Sequence, residues 1–153
     1  MFLTLKNALA SNQPLFAALA ANLIAQILKF FLGYLKNRRW NWILLFRAGG
    51  MPSSHSALVA GVAHSLGLTQ GFGSPYFAIA LVLAIVVIYD ATGIRRQAGK
   101  HAYIINRMIT ELSSGHPLKQ EQLREVLGHT PLEALAGTIL GVLTAQVLWW
   151  VSL

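Results

Sequence analysis

Apolar residues along this chain gather into four stretches that approach the length of a membrane-crossing helix, about 20 residues at 1.5 Å rise for a hydrocarbon core of about 30 Å. The first runs from Pro14 to Leu35 and is apolar except for Asn22, Gln26 and Lys29, which recur at helical spacing on one face. The second starts at the turn Pro52-Ser53-Ser54-His55 and runs to Thr69, short for a full span. The third, Pro75 to Thr92, holds the unbroken apolar run Ala78 to Ile88 and ends in Tyr89 and Asp90. The fourth, Pro131 to Leu153, carries Glu133 at its start and Trp149-Trp150 near its end, where an aromatic belt belongs. The pattern predicts an all-α integral membrane bundle with about four transmembrane helices. Between the third and fourth spans, Gly93 to Thr130 is polar and predicts one or two short helices around the break Ser113-Ser114-Gly115-His116-Pro117. The length fits one membrane-embedded domain, residues 1–153.

Composition agrees with lipid as the solvent. Hydrophobic residues make up 55% of the chain and charged residues 11%, against about 25% charged in a soluble domain, which excludes an ordinary soluble globule and a disordered chain. With no cysteine, a disulfide scaffold and a cysteine-ligated metal site are excluded too. The first apolar run is too long for a cleaved signal and continues into Lys36 and Arg38-Arg39, so it is expected to stay as a helix.

The formal charge of +7 fits nucleic acid, anionic lipid or a phosphorylated substrate. Once the apolar segments are set aside, no basic, aromatic-bearing surface domain is left to read nucleic acid, so a lipid phosphate is the expected partner and nucleic acid is not. Threading the four spans alternately through a bilayer puts the end of the first, the start of the second, the end of the third and the start of the fourth on one side. Of the twelve Lys and Arg residues, all but Lys6 fall there, as do all five acids; the positive-inside tendency then makes this side cytoplasmic. Gly137 and Gly141 form a GxxxG step, with Ala57 and Gly61 a weaker version, and either serves packing within the chain or a homodimer.

Chemistry-bearing residues collect on that shared side: Lys29, Lys36, Arg38, Arg39, Arg47, His55, Asp90, Arg95, Arg96, His129 and Glu133. Several cations suit a phosphate, and two histidines beside acids suit proton transfer and nucleophilic attack. The stretch Gly49-Gly50-Met51-Pro52-Ser53-Ser54-His55 is a turn running into a helix start, whose amides attract anions, and Ser53 or Ser54 can cap that helix or donate to a phosphate oxygen. Thr130 and Pro131 suit the cap and first position of the fourth helix, with His129 just outside it. Thr130-Pro131-Leu132-Glu133 also reads as a capping box, a role that coexists with catalysis. Arg38 and Arg39 serve either phosphate or topology, Asp90 is expected to pair with Arg95 or Arg96, and His64, His101 and His116 are expected to be packing or surface histidines.

These residues resemble the divergent branch of the type 2 phosphatidic acid phosphatases. The likeness rests on Pro52-Ser53-Ser54-His55, on Lys29 with Arg38 and Arg39 upstream, on His129 with Glu133 downstream, and on the stretch Asp90 to Gly99. Ser54 stands where the family motif has glycine, Glu133 where it has aspartate, and no Arg-Pro dipeptide occurs. The resemblance implies a metal-free, cofactor-free lipid phosphatase in which His129 forms a phosphohistidine, Glu133 holds its other ring nitrogen, and His55 protonates the departing alcohol. Lys29, Arg38 or Arg39, Arg95 or Arg96, Ser53 and Ser54 would bind the phosphoryl oxygens. The substrate class is phosphatidic acid, phosphatidylglycerophosphate or a polyprenyl phosphate. Two alternatives remain: metal-assisted hydrolysis through Asp90, Glu133 and the histidines, and a non-catalytic protein that binds, transports or assembles lipid phosphates.

Overall fold

The computed structural model describes residues 12–38, 50–112 and 128–152. These form five helices: α1 (Gln13–Asn37), α2 (Ser54–Gln70), α3 (Pro75–Thr92), α4 (Ile94–Leu112) and α5 (Pro131–Ser152). Among the described residues there is no strand. Arg39, Arg47, His116, Lys119, Arg124 and the segment 113–127 lie outside them, as does the side chain of Lys36.

Local chemistry sets the helix ends. The Asn12 side chain accepts from the Leu15 amide at 3.3 Å with Pro14 in the first turn, and α1 ends where Arg38 turns left-handed at φ 53°. Ser74 caps α3 by accepting from the Phe77 amide at 3.2 Å, ahead of Pro75. Thr130 and Glu133 cap α5 reciprocally: the Glu133 amide donates to Thr130 Oγ1 at 3.3 Å, and the Thr130 amide donates to Glu133 Oε2 at 3.1 Å.

The helices bury small residues and turn large apolar ones outward. The inner face of α1 is Ala17, Ala18, Ala21, Ala25 and Lys29, and that of α3 is Ala80, Ala84 and Ala91, while Leu23, Ile79, Val82 and Ile85 are exposed. In water this arrangement would be ruinous; in hydrocarbon the large side chains meet acyl chains, and helices associate where small residues let backbones approach. The helices α1, α3 and α5 provide the long apolar stretches able to cross a bilayer.

The second expected span, α2, has a different role. It has 17 residues, about 26 Å of rise, and is packed against α1, α3 and α5 at once. Its buried residues include Ser54, Ser56, Ala57, Ala60, Gly61, Ala63, Ser65 and Gly67. It is the bundle's central helix. Gly137 and Gly141 of α5 lie so close to the backbone carbonyls of Ser53 and Ala57 that a methyl group at either would collide with them, and Gly61 faces Ala17 and Ala21 of α1 at about van der Waals distance. Both small-residue steps therefore serve packing within one chain. Midway along, His64 Nε2 and Gln146 Oε1 are 3.0 Å apart, tying α2 to α5 as a packing histidine does.

The helix expected ahead of the break at Ser113-Ser114-Gly115-His116-Pro117 is α4, a single helix of 19 residues; the break itself lies outside the described residues. Its residues alternate with an apolar side of Ile94, Ile105 and Met108 and a basic side of Arg96, Lys100 and Arg107.

Candidate functional site

Four helix ends meet at one end of the bundle. The Ser53 amide donates to the Glu133 carbonyl at 3.0 Å, joining the start of α2 to the start of α5, and the His129 amide donates to the Ala91 carbonyl at 3.0 Å, joining the start of α5 to the end of α3. At the far end, Gln13 Nε2 donates to Ser152 Oγ at 2.9 Å, so α1 and α5 run antiparallel. The start of α2, the end of α3 and the start of α5, which the sequence places on one side, thus lie together at one end of the bundle.

Each candidate side chain can then be placed. Ser53 is fully buried and caps α2; its Oγ accepts from the Ser56 amide at 3.3 Å and from the Ser56 hydroxyl at 3.0 Å. Ser54 is buried in the first turn, and His55, one residue on, is exposed on the open side of the helix. His129 is buried, and its Nδ1 lies 3.2 Å from Glu133 Oε2. A carboxylate only accepts, so in the neutral ring this contact puts the proton on Nδ1 and leaves Nε2 with its lone pair. Glu133 thus caps α5 and orients the histidine with the same oxygen.

Lys29 brings a cation from α1. It is 5% exposed in a helix long and apolar enough to cross a bilayer, a costly position for an unpartnered charge. Its stem packs against Gly50, and it lies within electrostatic reach of Glu133. His55 is in turn within reach of Arg95, His129 and Lys29. Two histidines, one carboxylate and at least two cations from α1, α2, α4, the first turn of α5 and the residue before its cap thus form a single cluster.

Other candidates stand apart or partly apart. Arg95 donates from Nε to Asp90 Oδ2 at 2.6 Å, the pairing expected for Asp90, with Arg95 exposed and Asp90 half-buried. Arg96 is half-buried, with its amide beside Gly128. Arg38 is exposed at the end of α1, nine residues past Lys29, about 13 Å further along the axis, and no described contact brings it to the cluster. Arg39 lies outside the described residues. His101 is exposed on α4. Among the described residues no group of three His, Asp or Glu side chains is placed to hold a metal ion.

Two glycines position the cluster: Gly50, already part of the turn expected before α2, and Gly128, which sequence reasoning passed over. Gly50, at φ 88°, lets the chain turn against the Lys29 stem. Gly128 rests on the junction between α3 and α4, where an added methyl would lie 2.8 Å from the Ala91 carbonyl. That seat brings His129 next to Arg95 and Arg96. The available signal was a glycine immediately before a histidine at a helix mouth, where close backbone approach is a standing reason for glycine.

A family model described as the divergent PAP2 family matches residues 10–144. A Bacillus subtilis (strain 168) protein described as "Uncharacterized membrane protein YuiD" is 36% identical over 151 residues, covering 92% of this chain and 96% of the relative. No solved structure matches the chain. This chain belongs to the divergent PAP2 family, and it is an integral membrane protein of helical architecture.

Proposed function

We propose that the protein hydrolyses a phosphomonoester of a membrane lipid through a covalent phosphohistidine. The observation that carries the reading is the 3.2 Å contact between His129 Nδ1 and Glu133 Oε2 beside His55 and Lys29. Nε2 of His129 attacks phosphorus as the bond from phosphorus to the lipid oxygen breaks. His55 delivers the proton that the departing alkoxide needs, and Glu133 stabilises the positive charge developing on the His129 ring. In the second step His55 takes a proton from water, the water oxygen attacks phosphorus, and the bond to Nε2 breaks to release inorganic phosphate. Lys29 and Arg95 or Arg96 balance charge on the phosphoryl oxygens, an effect that grows where water is excluded. The amides at the start of α2, with Ser54, complete the anion cradle. No metal or cofactor takes part in this scheme.

The substrate belongs to the phosphatidic acid, phosphatidylglycerophosphate or polyprenyl phosphate class, since the cluster sits at a helix-bundle end reachable from the headgroup region. The basic excess at that end supports a cytoplasmic site. A second reading keeps the same anion pocket in a non-catalytic lipid-phosphate binder; the substitutions at Ser54 and Glu133 favour it. Phosphate release by purified protein from a panel of lipid phosphates separates the two. Turnover by wild type that is lost in His129→Ala and His55→Ala supports catalysis, and binding without turnover supports the second reading.

A further inference from the structure

Among the described residues, the packing partners of α2 leave one of its sides open. Ser53, Ala57 and Gly61 meet α5, Gly61 also meets Ala17 and Ala21 of α1, and α3 packs on another flank. Among the described residues α1 and α3 do not contact each other. The side of α2 opposite α5 therefore lies between them with no helix across it among the described residues. At 100° per residue, that side carries His55, Leu58, Val62, Leu66 and Thr69. Leu58, Val62 and Leu66 are half-buried, whereas outward residues of the flanking helices such as Leu28, Phe31 and Ile79 are exposed. This is a recessed apolar floor, not a ridge facing lipid.

Its polar end is His55, which belongs to the cationic cluster, and the strip below is apolar as far as Leu66. From His55 to Leu66 the helix rises about 16 Å, close to one leaflet of a hydrocarbon core of about 30 Å. A strip with an anion site at its head and one leaflet of apolar floor below has the polarity of a single-chain amphiphile laid alongside it.

We propose that the hydrocarbon tail of the phosphorylated lipid lies against Leu58, Val62 and Leu66 of α2, between α1 and α3, entering sideways from the bilayer with its phosphate at His55. The seat rests on the phosphatase reading for its substrate, but the juxtaposition of anion site and apolar strip stands without it. It makes Val62 and Leu66 determinants of chain-length preference and leaves the bond-breaking step to the cluster above.

Two measurements on the full-length protein in detergent or nanodiscs test this. The first compares kcat/KM for a long-chain phosphatidic acid with that for a water-soluble phosphomonoester, in wild type, Val62→Trp, Leu66→Trp and the outward control Ile79→Trp. Filling the strip lowers the long-to-short ratio by about tenfold, mainly through KM, and the control leaves it unchanged; an unchanged ratio in both strip variants overturns the seat. The second uses phosphatidic acid carrying a mid-chain diazirine and maps the photocrosslinks. Adducts on α2 between residues 58 and 66 support the seat even if no substrate is turned over, which would instead count against the phosphatase reading. Adducts confined to the outer faces of α1, α3 or α5 overturn it.

Discussion

The Glu133 carboxylate lies 3.2 Å from His129 Nδ1 and 3.1 Å from the Thr130 amide, both through Oε2. One oxygen thus orients the proposed nucleophile and closes the first turn of α5. The two roles make different demands, because the cap needs only an acceptor and catalysis needs a negative charge beside the ring.

Glu133→Gln separates them. An amide oxygen still accepts from Thr130, so thermal unfolding moves little, while kcat falls by about a hundredfold or more because the imidazolium loses its counter-charge. Glu133→Ala loses activity and also about 1 kcal/mol of stability from the missing cap. Turnover and melting measured side by side give the comparison, and equal activity in Glu133→Gln and wild type would remove the carboxylate from the mechanism.

Lys29→Met keeps the packed stem against Gly50 and removes the charge. Substrate binding weakens and kcat/KM falls, whereas folding is retained or improved, since a costly ammonium leaves a membrane-crossing helix. Isothermal binding of inorganic phosphate or vanadate alongside the turnover assay reads this. Unchanged affinity in the variant would make Lys29 a snorkelling side chain.

Gly137→Ala and Gly141→Ala push methyl groups into the carbonyls of Ser53 and Ala57. Each costs about 1–3 kcal/mol, as overpacking does, and Gly137→Ala also displaces the capped start of α2 and lowers activity. Gly73→Ala is the control, because nothing lies within 4 Å of its added methyl. Detergent-resistant melting curves should rank the three in that order.

His64 and Gln146 form a pair within the bundle, 3.0 Å apart. A double-mutant cycle with His64→Ala and Gln146→Ala should give a coupling of about 0.5–2 kcal/mol in stability, with kcat retained in each folded variant. Loss of kcat without loss of stability would assign His64 to the chemistry.

Much of this arrangement is legible in the sequence, for identifiable reasons. The spans α1, α3 and α5 show because outward positions facing lipid must be large and apolar, which leaves runs such as Ala78 to Ile88. The four-residue step from His129 to Glu133 shows because a helix start fixes where such a step points. The central place of α2 does not show: residues such as Ser54, Ser56, Gly61 and Ser65 are small because other helices press on them, and smallness reads as weak hydropathy. Nor does the use of Gly137 and Gly141, since a GxxxG step looks the same within a chain or between chains until its partner, here the Ser53 and Ala57 backbone, is known. The amphipathic character of α4 is masked by Arg95, Arg96 and Lys100, which dominate its composition, while the apolar side through Ile94, Ile105 and Met108 emerges only at helical period.

The measurement that bears most directly on the proposed chemistry is trapping of the covalent intermediate with a lipid phosphate carrying radioactive phosphorus, quenched in alkali to preserve phosphohistidine and mapped by peptide. The account predicts label on the peptide containing His129, absent from His129→Ala and from chain treated with unlabelled lipid in excess. Turnover with no acid-labile, alkali-stable label, or with label on a residue other than His129, would contradict it.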